Sequence, residues 1–194
     1  MTKSILKSVL LFGTTLTLLS FDTPTGWFNA GSKPKSYDMG IDKGAGQDGK
    51  NAATIKSIDK KIHGFGTLMQ QCKPDMYLNK RVRMTGYVKS ENVTTWAGLW
   101  LRVDEPGSQQ PLSFDNMSDR PIKGTTDWTK YEIVLDVPSN ASLIAYGALL
   151  GGTGQIWFDR ITIEVVSDSV PVTGSANRKK SATLNEPTNL DFEN

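Results

Sequence analysis

The sequence predicts an all-β fold, a two-sheet antiparallel sandwich, on three observations. After Pro24 no stretch carries the apolar spacing of an amphipathic helix. Short β-rich runs recur instead, mostly about 10–17 residues apart, close to the spacing that sandwiches show. Between them lie turns rich in Gly, Pro, Asp and Asn.

The elements follow in chain order. Residues 1–20 hold a basic start, Lys3 and Lys7, and an apolar run over 9–19. That run is short of the roughly 20 residues of a bilayer span. It fits a secretory signal peptide and predicts an exported, periplasmic or extracellular protein. The alternative is an apolar N-terminal helix or strand buried in a cytoplasmic protein. No Ala-x-Ala site is present, and only Ser20 is small and well placed. Strands are predicted over 36–41, 52–57, 66–71, 81–90, 97–104, 112–115, 129–136, 142–150 and 155–166. Turns divide them at Gly44–Gly49, at Glu105-Pro106-Gly107, at Pro138-Ser139-Asn140 and at the Gly-Gly-Thr-Gly of 151–154. Alternation is clearest over 81–88, where Val82, Met84, Gly86 and Val88 share one face. Nine strands in mostly antiparallel order predict two packed sheets, with a jelly roll as the expected form. Residues 24–166 form this domain. Residues 167–186, with Pro171, Gly174 and the cluster Arg178-Lys179-Lys180, read as a flexible linker. Residues 187–194 read as a tail strand carrying an apolar pair spaced by two, Leu190 and Phe192.

Composition narrows the function. The chain has 194 residues, 38% of them hydrophobic, enough for one core. Its net charge is +2, and without Lys3 and Lys7 the charges balance. A neutral body argues against nucleic acid or an anionic membrane as the main partner. One His and one Cys exclude a His/Cys zinc site and an internal disulfide. The single His63 lies in a Lys-Lys-Ile-His-Gly turn, with no Gly-x-Ser-x-Gly elbow to make it a triad base. There is no phosphate-binding glycine loop. Asp115 with Asp119, or Asp104 with Glu105, are the acid pairs to weigh for glycoside hydrolysis. Acidic turn residues are common, so the expectation is a non-catalytic protein.

A binding surface is more legible. On 96–104, Ala97, Leu99, Leu101 and Val103 form one uniformly apolar face that must meet the core. Trp96, Gly98, Trp100, Arg102 and Asp104 share the other face. Aromatic faces suit the C–H faces of sugars, and planar polar groups suit their hydroxyls. The candidate ligand-binding set is Gln70, Trp100, Arg102, Asp115, Asn116, Arg120 and Tyr146. A structural Trp–Arg stack, with Arg102 paired to an acid, is the competing reading. Trp27, Trp128 and Trp157 are expected in the core or at its rim. Calcium needs six to eight oxygen ligands. The 42–49 loop offers Asp42, Asp48 and free carbonyls but fails the EF-hand pattern.

Several motifs carry a resemblance: Gly26-Trp27-Phe28, GKNAATI at 49–55, Gln70, and KRVRMTGYVKSENV at 80–93. WAGLWLRVD at 96–104, FDNM at 114–117, DRPIKGTTDW at 119–128 and GQIWFDRITIEVV at 154–166 continue it. Together they resemble the galactose-binding-like, carbohydrate-binding jelly rolls of exported bacterial proteins. Members of this set are sometimes labelled AraC-type transcriptional regulators, although no helix-turn-helix is visible here. The resemblance implies a structural calcium held by Asp48, the Lys50 carbonyl, Asp159 and Glu193. It also implies that a segment like NLDFE opens the domain, whereas here it stands at 189–193. The tail would then return to its own domain, be donated to a neighbour for self-association, or begin a further domain. The functional expectation is a module that binds a carbohydrate or similar small polar ligand. The alternatives are a protein-interaction module using the tail strand or a sheet edge, and an effector-sensing domain of a regulator.

Overall fold

The computed structural model describes residues 20–174. Residues 1–19 of the signal peptide expected over 1–20, the rest of the linker and the tail with Glu193 lie outside that range. The elements are β1 (Phe28–Gly31), a 3-10 turn (Pro34–Ser36), β2 (Tyr37–Asp42), β3 (Ala52–Ser57), β4 (Phe65–Cys72) and β5 (Lys80–Asp104). β6 (Ser113–Asp115), β7 (Ile122–Val137), β8 (Leu143–Gly151) and β9 (Gln155–Val166) follow. All strand pairings are antiparallel.

The sandwich is held together by β5. Its first half pairs with β7 on one side and β9 on the other, with β3 and β2 beyond β9. Its second half pairs with β8 and β6, with β4 and β1 beyond β8. The sequence predicts two strands here, 81–90 and 97–104, separated by the polar run Glu91–Thr95. That run stays paired but breaks register three times, between Val88, Ser90, Val93 and Ala97. Val82, Met84 and Val88 face the core before the irregularity, and Ala97, Leu99, Leu101 and Val103 after it. The inward face thus moves from even to odd positions, which needs an inserted residue. Asn92, at φ 52°, lies at that step.

Two further strands differ from expectation. β7 begins at Ile122 rather than near 129, because its first turns pair with the irregular part of β5. β1, which the sequence reading lacks, is a four-residue edge strand containing Asn29 and Gly31, with no alternation to reveal it.

The core lies between the sheets. Leu68, Met84, Leu99, Leu101, Ile133, Leu135, Ile144, Leu150 and Phe158 are fully buried in it. Each such side chain contributes about 1.5–3 kcal/mol relative to exposure. The first part of the expected linker, residues 167–174, is bound to the sandwich rather than free of it. Arg81 donates from Nη1 to the carbonyls of Asp168 (2.6 Å) and Val170 (2.7 Å). Thr173 exchanges bonds with Val134, its N–H donating to the carbonyl at 2.9 Å and its Oγ1 accepting the Val134 N–H at 2.9 Å.

Candidate binding groove

The outer face of the β1–β4–β8–β5 sheet carries a groove of about 430 Å³. Such a volume lies within the range of small-molecule sites. Its floor is a second, smaller apolar cluster: Met69, Trp100, Ala145 and Leu149 are buried, and Ala30, Trp96 and Phe114 pack against them. Strand alternation puts them there. Trp100 lies opposite Gly147 of β8, and Gly147 opposite Met69 of β4, so the two large side chains face each other across a residue with none.

Polar groups stand at one end. Arg102 donates from Nε to both oxygens of Asp104, at 2.7 and 2.9 Å, and from Nη2 to the Gln109 carbonyl at 3.1 Å. Asn116 and Gln71 complete that rim. Asn116 reaches the groove because Gly98 stands between the two tryptophans of β5. A Cβ on Gly98 would lie 3.1 Å from Met117 Cβ and 3.2 Å from the Asn116 carbonyl, so the bare backbone lets this loop close down. The Trp100 indole N–H is already committed. It donates to Thr67 Oγ1 at 2.8 Å, and Thr67 donates on to the Ala148 carbonyl at 2.7 Å. Trp100 therefore offers a ligand an indole surface and no free donor. Trp96 and Phe65 are more open, Phe65 at 37% exposure.

Of the seven candidate ligand residues, the fold brings Trp100, Arg102 and Asn116 to the groove. The competing reading of Arg102 is also present, since its carboxylate partner is Asp104 on the same face. The other four lie elsewhere. Gln70 pairs with Tyr146, and Tyr146 with Leu101, so both point to the core side of the sheet. The Tyr146 hydroxyl donates to Gln70 Oε1, and Gln70 Nε2 donates to the Gly26 carbonyl at 3.2 Å. Together with the Trp27 ring, 5.8 Å from that of Tyr146, they anchor the turn before β1. Burial pushes the Tyr146 phenol up.

Asp115 and Arg120 form a clasp. Asp115 lies opposite Leu101, the core-facing position, and is 3% exposed. It accepts the Met117 N–H at 2.8 Å, the Thr173 hydroxyl, and Arg120 Nη2 at 2.6 Å. Arg120 also donates to Asp119 and to the Glu132 carbonyl. These bonds tie β6, β7 and residue 173 together. Asp115 and Asp119 both turn onto one guanidinium, and so do not stand as a free acid–base pair.

Of the residues implied for calcium, Asp48, Lys50 and Asp159 lie among the described residues, which contain no group of three or more His, Cys, Asp or Glu placed for a metal ion. Asp48 accepts the Lys50 N–H at 3.2 Å and Arg160 Nη2 at 3.2 Å. The Lys50 N–H, with help from Arg160, holds its carboxyl below the usual range. Asp159 accepts the N–H of Arg160 at 2.7 Å. Glu193 lies outside the described residues.

The sequence reading missed Trp96, Asp104, Phe114, Phe65, Gln71, Met69 and Thr67 as lining residues. Trp96 and Asp104 were legible, because they share the Trp100–Arg102 face. Gln71 was not. Leu68 and Met69 make both faces of β4 apolar, so alternation does not say which of Gln70 and Gln71 faces out.

No protein-family model matches the chain. It is 45% identical over 169 residues to YbfP of Bacillus subtilis (strain 168), named an uncharacterized HTH-type transcriptional regulator. The match covers 87% of this chain and 56% of that protein, so the chain spans little more than half of its curated relative. Among the described residues there is no α-helix, and so no helix-turn-helix. Among solved structures it is similar to the CBM22-1–GH10 modules of Clostridium thermocellum xylanase Xyn10B, complexed with xylohexaose (TM-score 0.56, 14% identity, 77% of this chain and 28% of that one). It is similar to the CBM22-1 xylan-binding domain of Paenibacillus barcinonensis Xyn10C (TM-score 0.53, 17% identity, 75% and 88%). The Stig cyclase Fisc from Fischerella sp. TAU has the same shape (TM-score 0.52, 14% identity, 76% and 88%). At these identities the likeness establishes the fold, a jelly-roll sandwich that carbohydrate-binding modules share with a cyclase.

Proposed function

We propose that this domain is a non-catalytic binding module, and that the groove on its β1–β4–β8–β5 sheet takes a carbohydrate or a similar small polar ligand. The observation that carries the reading is the groove's composition. An apolar floor of Trp100, Met69 and Leu149 is edged by Trp96 and Phe65 and ends in a fixed polar group, Arg102–Asp104 with Asn116. Indole and phenyl surfaces stack on the C–H face of a sugar ring, and a rigid guanidinium–carboxylate pair orients its hydroxyls. The pair is neutral overall, so the ligand needs no charge. The solved structures of the same fold that bind xylan or xylohexaose support the ligand class by analogy.

The kinship with YbfP favours a second reading, in which the same groove senses an effector for a regulator. The two readings share a ligand site and differ in where the protein works. Fractionation followed by N-terminal sequencing separates them: an exported module is found in the medium or periplasm without about its first 20 residues, a cytoplasmic sensor is found in the cytoplasm and keeps them.

The test is thermal unfolding against a glycan panel. A ligand at 100 times its dissociation constant adds about 2.7 kcal/mol. For a chain of this size that raises the melting temperature by roughly 5–10 °C. A glycan that shifts Trp96→Ala only about half as far as wild type, as a tenfold loss of affinity requires, supports the groove. Equal shifts in both proteins, or none across a broad panel, refute it.

A further inference from the structure

One strand edge and one cleft remain unexplained by the groove. β9 pairs with β3 only through residues 155–158. Beyond Phe158 it continues for eight residues, paired with β5 on one side and with no described strand on the other. An unpaired edge leaves alternate backbone N–H and C=O groups open, which folded proteins usually cover. The side chains tell the same story. Ile163 lies opposite Met84 and Val165 opposite Val82, and both of those partners are fully buried core residues. Yet Ile161 and Ile163 are only half-buried, and Val165 is 49% exposed. Among the described residues nothing covers the inward face of this half of β9. A cleft of about 440 Å³ opens there, between Ile161 and Ile163 on one sheet and Cys72, Tyr146 and Trp27 near the other.

We propose that this edge and cleft are the docking site for the chain's own C-terminal segment, residues 189–193, added beside β9 as a further strand. Three observations choose this occupant. The segment Asn-Leu-Asp-Phe-Glu carries two large apolar side chains spaced by two, the spacing that sends both to one face of a strand. Leu190 and Phe192 then enter the cleft, and Asp191 turns outward. Length also permits it. Gly174 lies beside Asp115, near β7, three strand positions from the open edge of β9. That is about 15 Å at the usual strand spacing. The intervening residues 175–188 can span roughly 45 Å when extended. The stretch is also rich in Ser, Asn and Lys, as a crossing over the surface requires. Docking thus adds backbone bonds to β9 and closes the cleft.

The experiment compares the full chain with a form ending at Glu186 and with the full-length double variant Leu190→Asp/Phe192→Asp. Hydrogen exchange is read at the β9 amides from Ile161 to Val165. Docking predicts that those facing away from β5 exchange at least about tenfold faster in both altered proteins, while β8 amides are unchanged. A third variant, full-length Phe192→Cys, places a thiol for the native Cys72 in the cleft. Mild oxidation then gives a disulfide within one chain, seen by mass. Unchanged exchange in both altered proteins overturns the proposal. A disulfide formed only between chains, with a dimer that dissociates on truncation, overturns it in favour of strand donation to a second copy. Neither result depends on glycan binding in the groove.

Discussion

Replacing Arg120 by Ala separates a clasp from a ligand residue. The Asp115 side chain is 1% exposed, and Arg120 covers it while itself 33% exposed. The substitution removes the 2.6 Å and 3.3 Å bonds to Asp115 and the bond to the Glu132 carbonyl. The carboxylate keeps only the Met117 N–H and the Thr173 hydroxyl. Breaking a buried pair on one side costs about 3–5 kcal/mol, and the two remaining donors argue for the lower end. At about 3 kcal/mol the melting temperature falls by roughly 6–12 °C. The control is Arg83→Ala. Its pair with Glu164 is 2.7 Å long, but the carboxylate is 54% exposed where that of Asp115 is 1%, so the change is under about 1 kcal/mol. The double variant Asp115→Asn/Arg120→Ala removes the orphaned charge and is less destabilised than the single changes summed. The assay is calorimetric unfolding, with glycan affinity measured well below the transition. A melting temperature within 2 °C of wild type, or weakened glycan affinity in a protein that melts normally, refutes the clasp and returns Arg120 to the ligand.

Further outcomes follow from neighbouring geometry. Trp96→Ala weakens glycan binding by about tenfold, the loss of one stacking surface, and moves the melting temperature by only a few degrees; Trp100→Ala costs about 3–5 kcal/mol of stability, because Trp100 is floor, and serves poorly as a binding test. Both are read by melting and titration side by side. Tyr37 is buried, its hydroxyl donates to the Gly152 carbonyl at 2.8 Å, and burial raises its pKa to about 12. The unfolded phenol ionises near 10 while the folded one still holds its proton. Its share of stability is therefore intact below about pH 10 and is lost as pH rises from about 10 to 12. Denaturant unfolding across that range shows the slope, and Tyr37→Phe reduces it; an unchanged slope refutes the assignment. Calcium, proposed from the resemblance alone, must displace Arg160 from Asp48. Millimolar calcium should then raise the melting temperature of Arg160→Ala more than that of wild type, and no shift in either removes calcium from the picture.

Sequence periodicity shows its reach in β5. Alternation grouped Val82, Met84 and Val88 on one face of the first half and put Ala97, Leu99, Leu101 and Val103 of the second on the core, because each half is internally regular. It did not show that the halves are one strand. The step that joins them is polar and irregular in register, and a strand that changes sheets there looks in sequence like a turn. Gln70 and Tyr146 failed for a different reason. Their strands are apolar on both faces, since one face meets the core and the other floors the groove. A face-assignment argument needs one polar face, and a sheet with a binding site on its outside lacks it. Asp115 and Arg120 failed because a carboxylate five residues from an arginine reads the same whether the pair is exposed or buried. Only strand register put Asp115 on the inner side.

That ambiguity bears on the groove itself. An apolar outer face on a sheet of a sandwich is costly to leave in water, and proteins seldom keep one without a use. Here it is no accident of a single residue. Met69, Trp100, Ala145 and Leu149 come from three adjacent strands. Arg102, Asp104 and the Gln109 carbonyl close one end with their bonds already satisfied, so a ligand meets a rigid neutral group rather than an unpaired charge. Rigid recognition costs little ordering entropy on binding. The same network would hold if the groove were only packing, but packing alone does not require Trp96 and Phe65 to stay partly open at its edge. The exposed edge, more than the buried floor, argues for a ligand, and this is why the decisive substitution is Trp96 rather than Trp100.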